Sequence, residues 1–442
     1  MTNQVRLKAD LNWRDGSAIV AGTVIGSGIF LVPGSIAREI PSIWPMMAVW
    51  LLGGLLTLFG ALSVAELGAA FPEAGGLYVY LHAGYGRVAA FLYGWGLLTL
   101  IHSGSLAALA VAFGLYCSQL MPMPVPEQKA VAIVSILAVT VVNYFGLHAG
   151  KLVQNLVTAS KIGGIGILTI ALFIRGDFHR LTAPAPTDSG LSALSVGAAL
   201  VAVLWAYEGW HVVSFTAGEF RNPARDLPKS LSAGILAVVA AYLLANLSYF
   251  TVLSPTRMQA TDRAAATAMN VAYGAGATGF VTLLIVVSIL GSMNGTALTG
   301  PRVYFAMARD GLFFPGFGRL NPRTHAPSVA IVVQGVWASC LTLAGGFRDL
   351  FTYVIFTAWI FYGATVLAVI ILRVKRPDLH RPYRVPGYPW LPGLFVIAAG
   401  LITAIAIANG PRHALYGIGL ILLGMPVYLL LFRQPGVSPK NE

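Results

Sequence analysis

The stretch Gly22-Thr23-Val24-Ile25-Gly26-Ser27-Gly28-Ile29-Phe30-Leu31-Val32-Pro33 decides the fold. It lies inside an apolar segment, 15–38, long enough to cross a bilayer, for which about 20 residues suffice. Three glycines and a proline make a poor helix interior. The segment is therefore expected to break in its middle and bare backbone N–H groups. The N-terminal end of its second half then offers those groups, and a positive dipole end, to an anion such as a carboxylate. Glycine for close helix packing is the competing explanation, and this stretch alone does not separate the two.

Working outward, the same kind of break recurs once. The segment 193–220 contains Leu204-Trp205-Ala206-Tyr207-Glu208-Gly209-Trp210-His211. A break here exposes carbonyl oxygens, which suit an ammonium group. Two breaks of opposite character facing each other make a site for a zwitterion. Trp205, Tyr207 and Trp210 can also be ordinary membrane aromatics, but interface aromatics belong at span ends and these sit mid-span.

The rest of the chain sets the frame. Of 442 residues, 57% are hydrophobic and only 10% charged, against about 25% charged in soluble domains. The apolar residues fall into twelve candidate spans, at 15–38, 44–69, 86–120, 128–146, 152–174, 193–220, 229–254, 277–309, 328–345, 350–373, 390–408 and 412–432. The longest polar connection, 175–192, is only a loop, so 1–442 reads as a single membrane domain. The broken spans are first and sixth, five apart, and an odd repeat unit returns inverted. Residues 15–174 and 193–373 are thus expected to be two inverted repeats of five, with 390–432 adding two helices outside them.

The formal charge of +12 does not point to nucleic acid, because the basic residues sit in short gaps between apolar blocks. Nineteen of the 28 Lys and Arg fall on the side of the termini, Arg302 among them, which marks that side as cytoplasmic. The polar N-terminus, MTNQVRLKADLNWRDG, has no signal-peptide pattern. Cys117 and Cys340 lie in or beside apolar blocks and are expected as small buried hydrophobes, not a disulfide. No zinc or haem spacing and no nucleophile–base pair is readable. Neither a metal, a cofactor nor an enzyme activity is expected.

Lys161 is the sharpest single residue. It lies ten residues into LVQNLVTASKIGGIGILTIALF, 152–173. An ammonium there costs about 2.5–3.5 kcal/mol on insertion scales, so it should face the interior and have partners. It can take the place of a coupling cation, bridging spans one and eight through backbone carbonyls. Snorkelling to the interface is the alternative. Glu66, near the terminal-side end of span two, is a gate or ion-pair candidate. Glu208 either relays protons or caps its break. His102 and His211 read as core histidines before relays, and Asn294 as interhelical glue.

The span-one stretch GTVIGSGIFLVP resembles the signature of the amino acid–polyamine–organocation superfamily, and within it the L-type amino acid transporter family. So do AELGAAFPEAGGLYVYL, LWAYEGW, GEFRNPARDLPKS, GSMNGTALTGPRVYFAMARDGLFFP and RPDLHRPYRVPGYPWLP, in the same order along nearly the whole chain. The resemblance implies a LeuT-like inverted-repeat fold and sodium-independent amino acid transport, often by obligatory exchange. By motif, it implies that Ile25, Gly26, Ser27 and Gly28 hold the substrate carboxylate. Trp205, Ala206, Tyr207, Glu208 and Gly209 would line the amino side. Trp205 stands where the family usually has a gate-closing Phe, and Lys161 matches a lysine that resembles a replacement for bound sodium. Met123, in MPMPVPEQ, stands where animal relatives carry the cysteine that tethers a heavy chain. A stand-alone protein of a bacterial inner membrane, with both termini cytoplasmic and with lipids and an amino acid as its partners, is expected. Glu208 and His211 depart from the family. The expected cargo is a small to medium neutral L-amino acid, alanine, serine or threonine first. A proton-driven symporter using Glu208 or Lys161, and a sensor with little flux, are the alternatives.

Overall fold

The computed structural model describes residues 9–182, 192–344, 347–409 and 411–432. The expectations that fall on Arg6, Lys8, Arg433, Lys440 and residues 183–191 of the 175–192 loop lie outside them. Every regular element in the described residues is a helix, apart from one isolated bridge between Leu11 and Phe220. The elements used below are α1 (Trp13–Val24), α2 (Gly28–Glu39), α3 (Ile43–Ala70), α4 (Arg87–Leu120), α5 (Val125–Tyr144), α6 (Leu147–Arg175), α7 (Ala193–Ala206), α8 (Pro223–Val252), α9 (Thr278–Arg309), α10 (Ser328–Ala344), α11 (Phe347–Lys375) and α12 (Trp390–Asn409).

Eight helices in the described residues are long and apolar enough to cross a membrane, and α1 with α2 makes a ninth span bent by 48°. The expected spans six, nine and eleven fall on shorter apolar helices. The chain is an all-α, multi-pass membrane protein. The break between α1 and α2 has the cause the glycines suggested. Ile25 leaves helical geometry at ψ 88°, and the Gly26 N–H turns back to the Val24 carbonyl at 2.8 Å.

α1 starts where its sequence says it should. Asn12 Oδ1 accepts from Arg14 N and Asp15 N, while Asp15 Oδ2 accepts from Asn12 N. This reciprocal cap satisfies donors that the first turn leaves open. Asp15 also pairs with Lys151 at 3.3 Å, which ties α1 to the start of α6. Asn294 is the glue its glycine setting suggested: its amide bonds Gly150 O and Gln154 Oε1 on α6 and accepts from Asn143 on α5.

Two sequence expectations change. Arg302 is not a loop charge marking topology. It is 1% exposed and pairs with Glu219, also 1% exposed, at 2.7 Å. Its other nitrogen donates to the Leu298 carbonyl. An arginine about two turns from a helix end looks like an interfacial charge until its partner, 83 residues away, is seen. Cys340 is exposed on the outer face and Cys117 half-buried, both as free thiols, so Cys340 is not a buried hydrophobe.

The Glu219 carbonyl also accepts from Asp10 N and Leu11 N at 2.9 Å, so the pair anchors the N-terminal segment. Breaking a buried pair from one side leaves an uncompensated charge and costs about 3–5 kcal/mol. Glu219→Ala is therefore expected to lower the detergent melting temperature sharply. Thermal unfolding checks it, and an unchanged melting temperature would count against the clasp.

Candidate functional site

The two breaks meet. A Cβ built on Gly28 would sit 2.8 Å from the Ala206 Cβ and 2.9 Å from its Cα, closer than real side chains pack. Glycine at 28 is thus required by the approach of the span-six break, which is the close-packing explanation of that glycine. Past Ala206 the chain turns through Tyr207-Glu208-Gly209, with Gly209 at φ +99°, into a 3-10 helix over Val212–Glu219. That φ is open to glycine at no steric cost.

Around this contact lies a small cavity of about 90 Å³. One water needs roughly 10–15 Å³ by the same kind of measure, so the space suits an occupant of several non-hydrogen atoms. Gly26, Ser27, Gly28, Trp205, Ala206, Glu208 and Gly209 line it, seven of the nine binding positions expected from sequence. Ile25 and Tyr207 do not. The Ile25 side chain is buried in the core and its carbonyl faces Lys161, while the Tyr207 hydroxyl donates to the Trp50 carbonyl at 3.3 Å. The other walls come from α4 (Ile101, His102, Ser105), α9 (Ser292, Thr296) and α11 (Val354, Tyr362). A single π turn, Leu97–Ile101, precedes His102 and sets the register with which α4 faces the cavity.

At the α2 end, Gly28 and Ile29 begin a helix and have no carbonyl one turn behind them to accept their N–H groups. The Ser27 hydroxyl beside them is buried without a partner. This corner of the cavity is a cluster of donors. Glu208 also lines the cavity, with Oε1 accepting from the Tyr362 hydroxyl.

Lys161 sits behind the break. It is fully buried, and its Nζ donates to the carbonyls of Gly22 and Ile25 at 2.6 Å each and to Ser292 Oγ at 3.3 Å. The ammonium therefore does not snorkel. It neutralises two carbonyls that the bend in span one has freed. It reaches α9 through a side chain rather than the expected backbone carbonyl. Gly291 makes room for it, since a Cβ there would lie 2.6 Å from Lys161 Cε. Gly291→Ala is expected to displace the ammonium and cut function about tenfold or more, the loss matching one charge-assisted hydrogen bond of ~1.5–3 kcal/mol. A transport assay on protein of normal stability checks it.

Sequence reasoning missed Tyr242 of α8. Its hydroxyl lies 3.1 Å from the Val24 carbonyl and 3.0 Å from the Ala206 carbonyl, so one side chain touches both breaks. The Ala206 carbonyl is thus already engaged, leaving one lone pair for a ligand. Glu66 is not at the cavity. It is 1% exposed and clamped by Arg373 (2.6 and 2.9 Å), the Val385 N–H (2.7 Å) and Arg381 (3.5 Å). These contacts join α3, α11 and the segment before α12 on the terminal side. Asp10 with Arg221 at 2.8 Å adds a second tie on that side. The cavity instead extends along α4 past His102 to Ser105 and Leu109, away from the termini. No group of three His, Cys, Asp or Glu that could hold a metal is found among the described residues.

A family model described as amino acid permease matches residues 11–430. The human b(0,+)-type amino acid transporter 1 is 34% identical over 96% of this chain and 88% of its own length. The serine/threonine exchanger SteT of Bacillus subtilis (strain 168) is 33% identical over 96% of both chains. The human cystine/glutamate transporter is 29% identical over 97% of this chain and 86% of its own.

Proposed function

The chain belongs to the amino acid permease family, and from that premise we propose that it is a sodium-independent exchanger of small to medium neutral L-amino acids, with alanine, serine and threonine as first candidates. The observation that carries the proposal is the cavity at the meeting of two helix breaks. It has a donor corner at Ser27, Gly28 and Ile29 for the carboxylate. Backbone carbonyls at the breaks accept from the amino group. The small cavity favours a short side chain. The similarity to a protein named a serine/threonine exchanger supports the same cargo.

Lys161 supports sodium independence. Its ammonium occupies the space between span-one carbonyls and Ser292 where a cation would otherwise be needed. The proposed cycle is alternating access between two five-span inverted repeats, 15–174 and 193–373, flanked by two further helices in a twelve-span protein. With the termini cytoplasmic in a bacterial inner membrane, the geometry corresponds to the outward-facing state. The ties at Glu66, Asp10 and Glu219 hold the cytoplasmic side shut, and Trp205, which lines the cavity beside Gly28, closes as the outer lid. No heavy chain is needed, since Met123 offers no thiol.

Counterflow in proteoliposomes without sodium tests the coupling. Labelled serine should enter vesicles preloaded with unlabelled serine, enter empty vesicles far more slowly, and ignore an imposed pH gradient. Uptake into empty vesicles driven by that gradient would replace exchange by proton symport.

A further inference from the structure

The loop between α11 and α12 closes on one carboxylate. Glu66 Oε2 accepts from Arg373 at 2.6 Å and from the Val385 N–H at 2.7 Å. Arg381 fills the inside of the loop. Its guanidinium lies 3.5 Å from Glu66 Oε1 and donates to the carbonyls of Leu372, Arg376 and Leu379 at 3.0, 2.9 and 2.8 Å. Arg373 also lies over the Tyr388 ring, 3.9 Å from its centroid. These contacts give residues 373–385 a fixed shape. Because Arg373 and Val385 meet on the same oxygen, Lys375 and Arg376 at one end are brought beside Arg384 at the other.

The ion pairs of this loop are those of Arg373 and Arg381 with Glu66. Lys375, Arg376 and Arg384 are exposed and form none among the described residues. Asp378 is the single acidic residue in 373–390. Two open apolar side chains flank the basic ones: Val374, in the last turn of α11, is 74% exposed, and Trp390, the first residue of α12, is 75% exposed. Tryptophan at a span end sits at the headgroup level of a bilayer. The basic face of the loop therefore lies where the headgroups of the terminal-side leaflet begin. A topology signal requires only that basic residues lie near a span end. It does not require that they be folded onto a fixed platform.

We propose that the exposed face of the 373–385 loop is a binding site for the headgroup of an anionic phospholipid, held by Lys375, Arg376 and Arg384. Each Lys or Arg beside an anionic bilayer surface is worth roughly fivefold in binding, so three on one platform select a charged headgroup over a zwitterionic one. The lipid holds from the membrane side the same loop that Glu66 fastens from the protein side. Its binding thus steadies the junction of α3, α11 and α12.

The purified protein in neutral detergent is titrated with dioleoylphosphatidylglycerol or dioleoylphosphatidylcholine. Native mass spectrometry reads bound lipid, and thermal unfolding reads stabilisation. The anionic lipid should bind about tenfold or more tighter than the zwitterionic one and raise the melting temperature further. Lys375→Gln, Arg376→Gln and Arg384→Gln together should remove that preference, a loss of about tenfold or more. A control triple, Arg225→Gln, Arg319→Gln and Arg323→Gln, removes the same charge from exposed positions on the same side, and should lose about threefold at most. Equal losses in the two triples overturn the proposal, since overall charge would then account for the preference. So does inorganic phosphate stabilising the protein as well as the lipid at equal concentration, which would make this a site for free anions. If the first triple does not fold, the wild-type protein decides with a phosphatidylglycerol carrying a photoactivatable headgroup. Cross-links concentrated on 374–390 bear the proposal out, and cross-links spread evenly over the terminal-side loops overturn it. None of these readouts needs transport, so this proposal and the exchange reading fail separately.

Discussion

Lys161→Ala is expected to fold, reach the membrane and lose exchange almost completely. The side chain makes three hydrogen bonds and no carboxylate contact, so its removal breaks no ion pair. It does take the short ammonium donor, 2.6 Å away, from the Gly22 and Ile25 carbonyls and leaves them only the long contacts of the single Ser292 hydroxyl at 3.5 and 3.4 Å. A buried polar group deprived of its partner costs about 1–3 kcal/mol. Two such losses fall at the bend that positions Ser27 and Gly28, so the bend should relax before the rest of the helix does. Since ~1.4 kcal/mol is tenfold, a fall in exchange of about a hundredfold or more is expected, with a much smaller change in melting temperature. Initial rates of serine counterflow, normalised to protein in the vesicles, measure it. Normal exchange by a well-expressed variant would remove Lys161 from the mechanism.

Gly28→Val is the second large effect, and it separates binding from turnover. Two methyl groups and a Cβ would be forced into a place where the Cβ alone meets Ala206 at 2.8 and 2.9 Å. Ala206 is held in turn by Tyr242, so the span-six break has little freedom to retreat. Overpacking of this kind costs typically 1–3 kcal/mol. Here it acts on the donor corner itself, so binding of serine should weaken about tenfold to a hundredfold or vanish. Isothermal titration or substrate-dependent thermal stabilisation reads it. Unchanged affinity would count against span one as the carboxylate site.

Tyr242 offers a gentler probe of the same coupling. Tyr242→Phe removes only the hydroxyl that touches Val24 and Ala206. Exchange should slow by about tenfold, in line with one hydrogen bond of ~1 kcal/mol and the loss of registration between the breaks. Affinity should change less than turnover, because the cavity lining is left intact. An affinity loss larger than the loss in rate would place the hydroxyl at the ligand instead.

What the sequence made legible has a physical basis. Glycines clustered in an apolar run, as at Gly22, Gly26 and Gly28, contradict helix continuity, so the break could be read before it was seen. A lone charge such as Lys161 in a hydrocarbon-length segment has a cost that demands partners, and those partners were nearly identified in advance. Groups whose meaning lies in distant contacts were not legible. Tyr242 is 218 residues from Val24, and nothing local separates it from a lipid-facing tyrosine. Tyr362 is 154 residues from Glu208. Arg302 was read as a topology charge because its pairing with Glu219 depends on how the span-six segment folds back on α9. Ile25 and Tyr207 belong to the right motifs, but a motif does not say which way a side chain points. Ile25 contributes its carbonyl to Lys161 and Tyr207 its hydroxyl to Trp50, both outside the cavity.

The central claim is that an amino acid sits between the two helix breaks. The most direct measurement is an experimental structure of the protein in lipid nanodiscs with saturating L-serine. Density for the ligand should lie between the two breaks, its carboxylate against the N–H groups of Gly28 and Ile29 and the Ser27 hydroxyl, its side chain toward Glu208 and Tyr362. Ligand density elsewhere, or a carboxylate turned away from α2 with the breaks unoccupied, would contradict it.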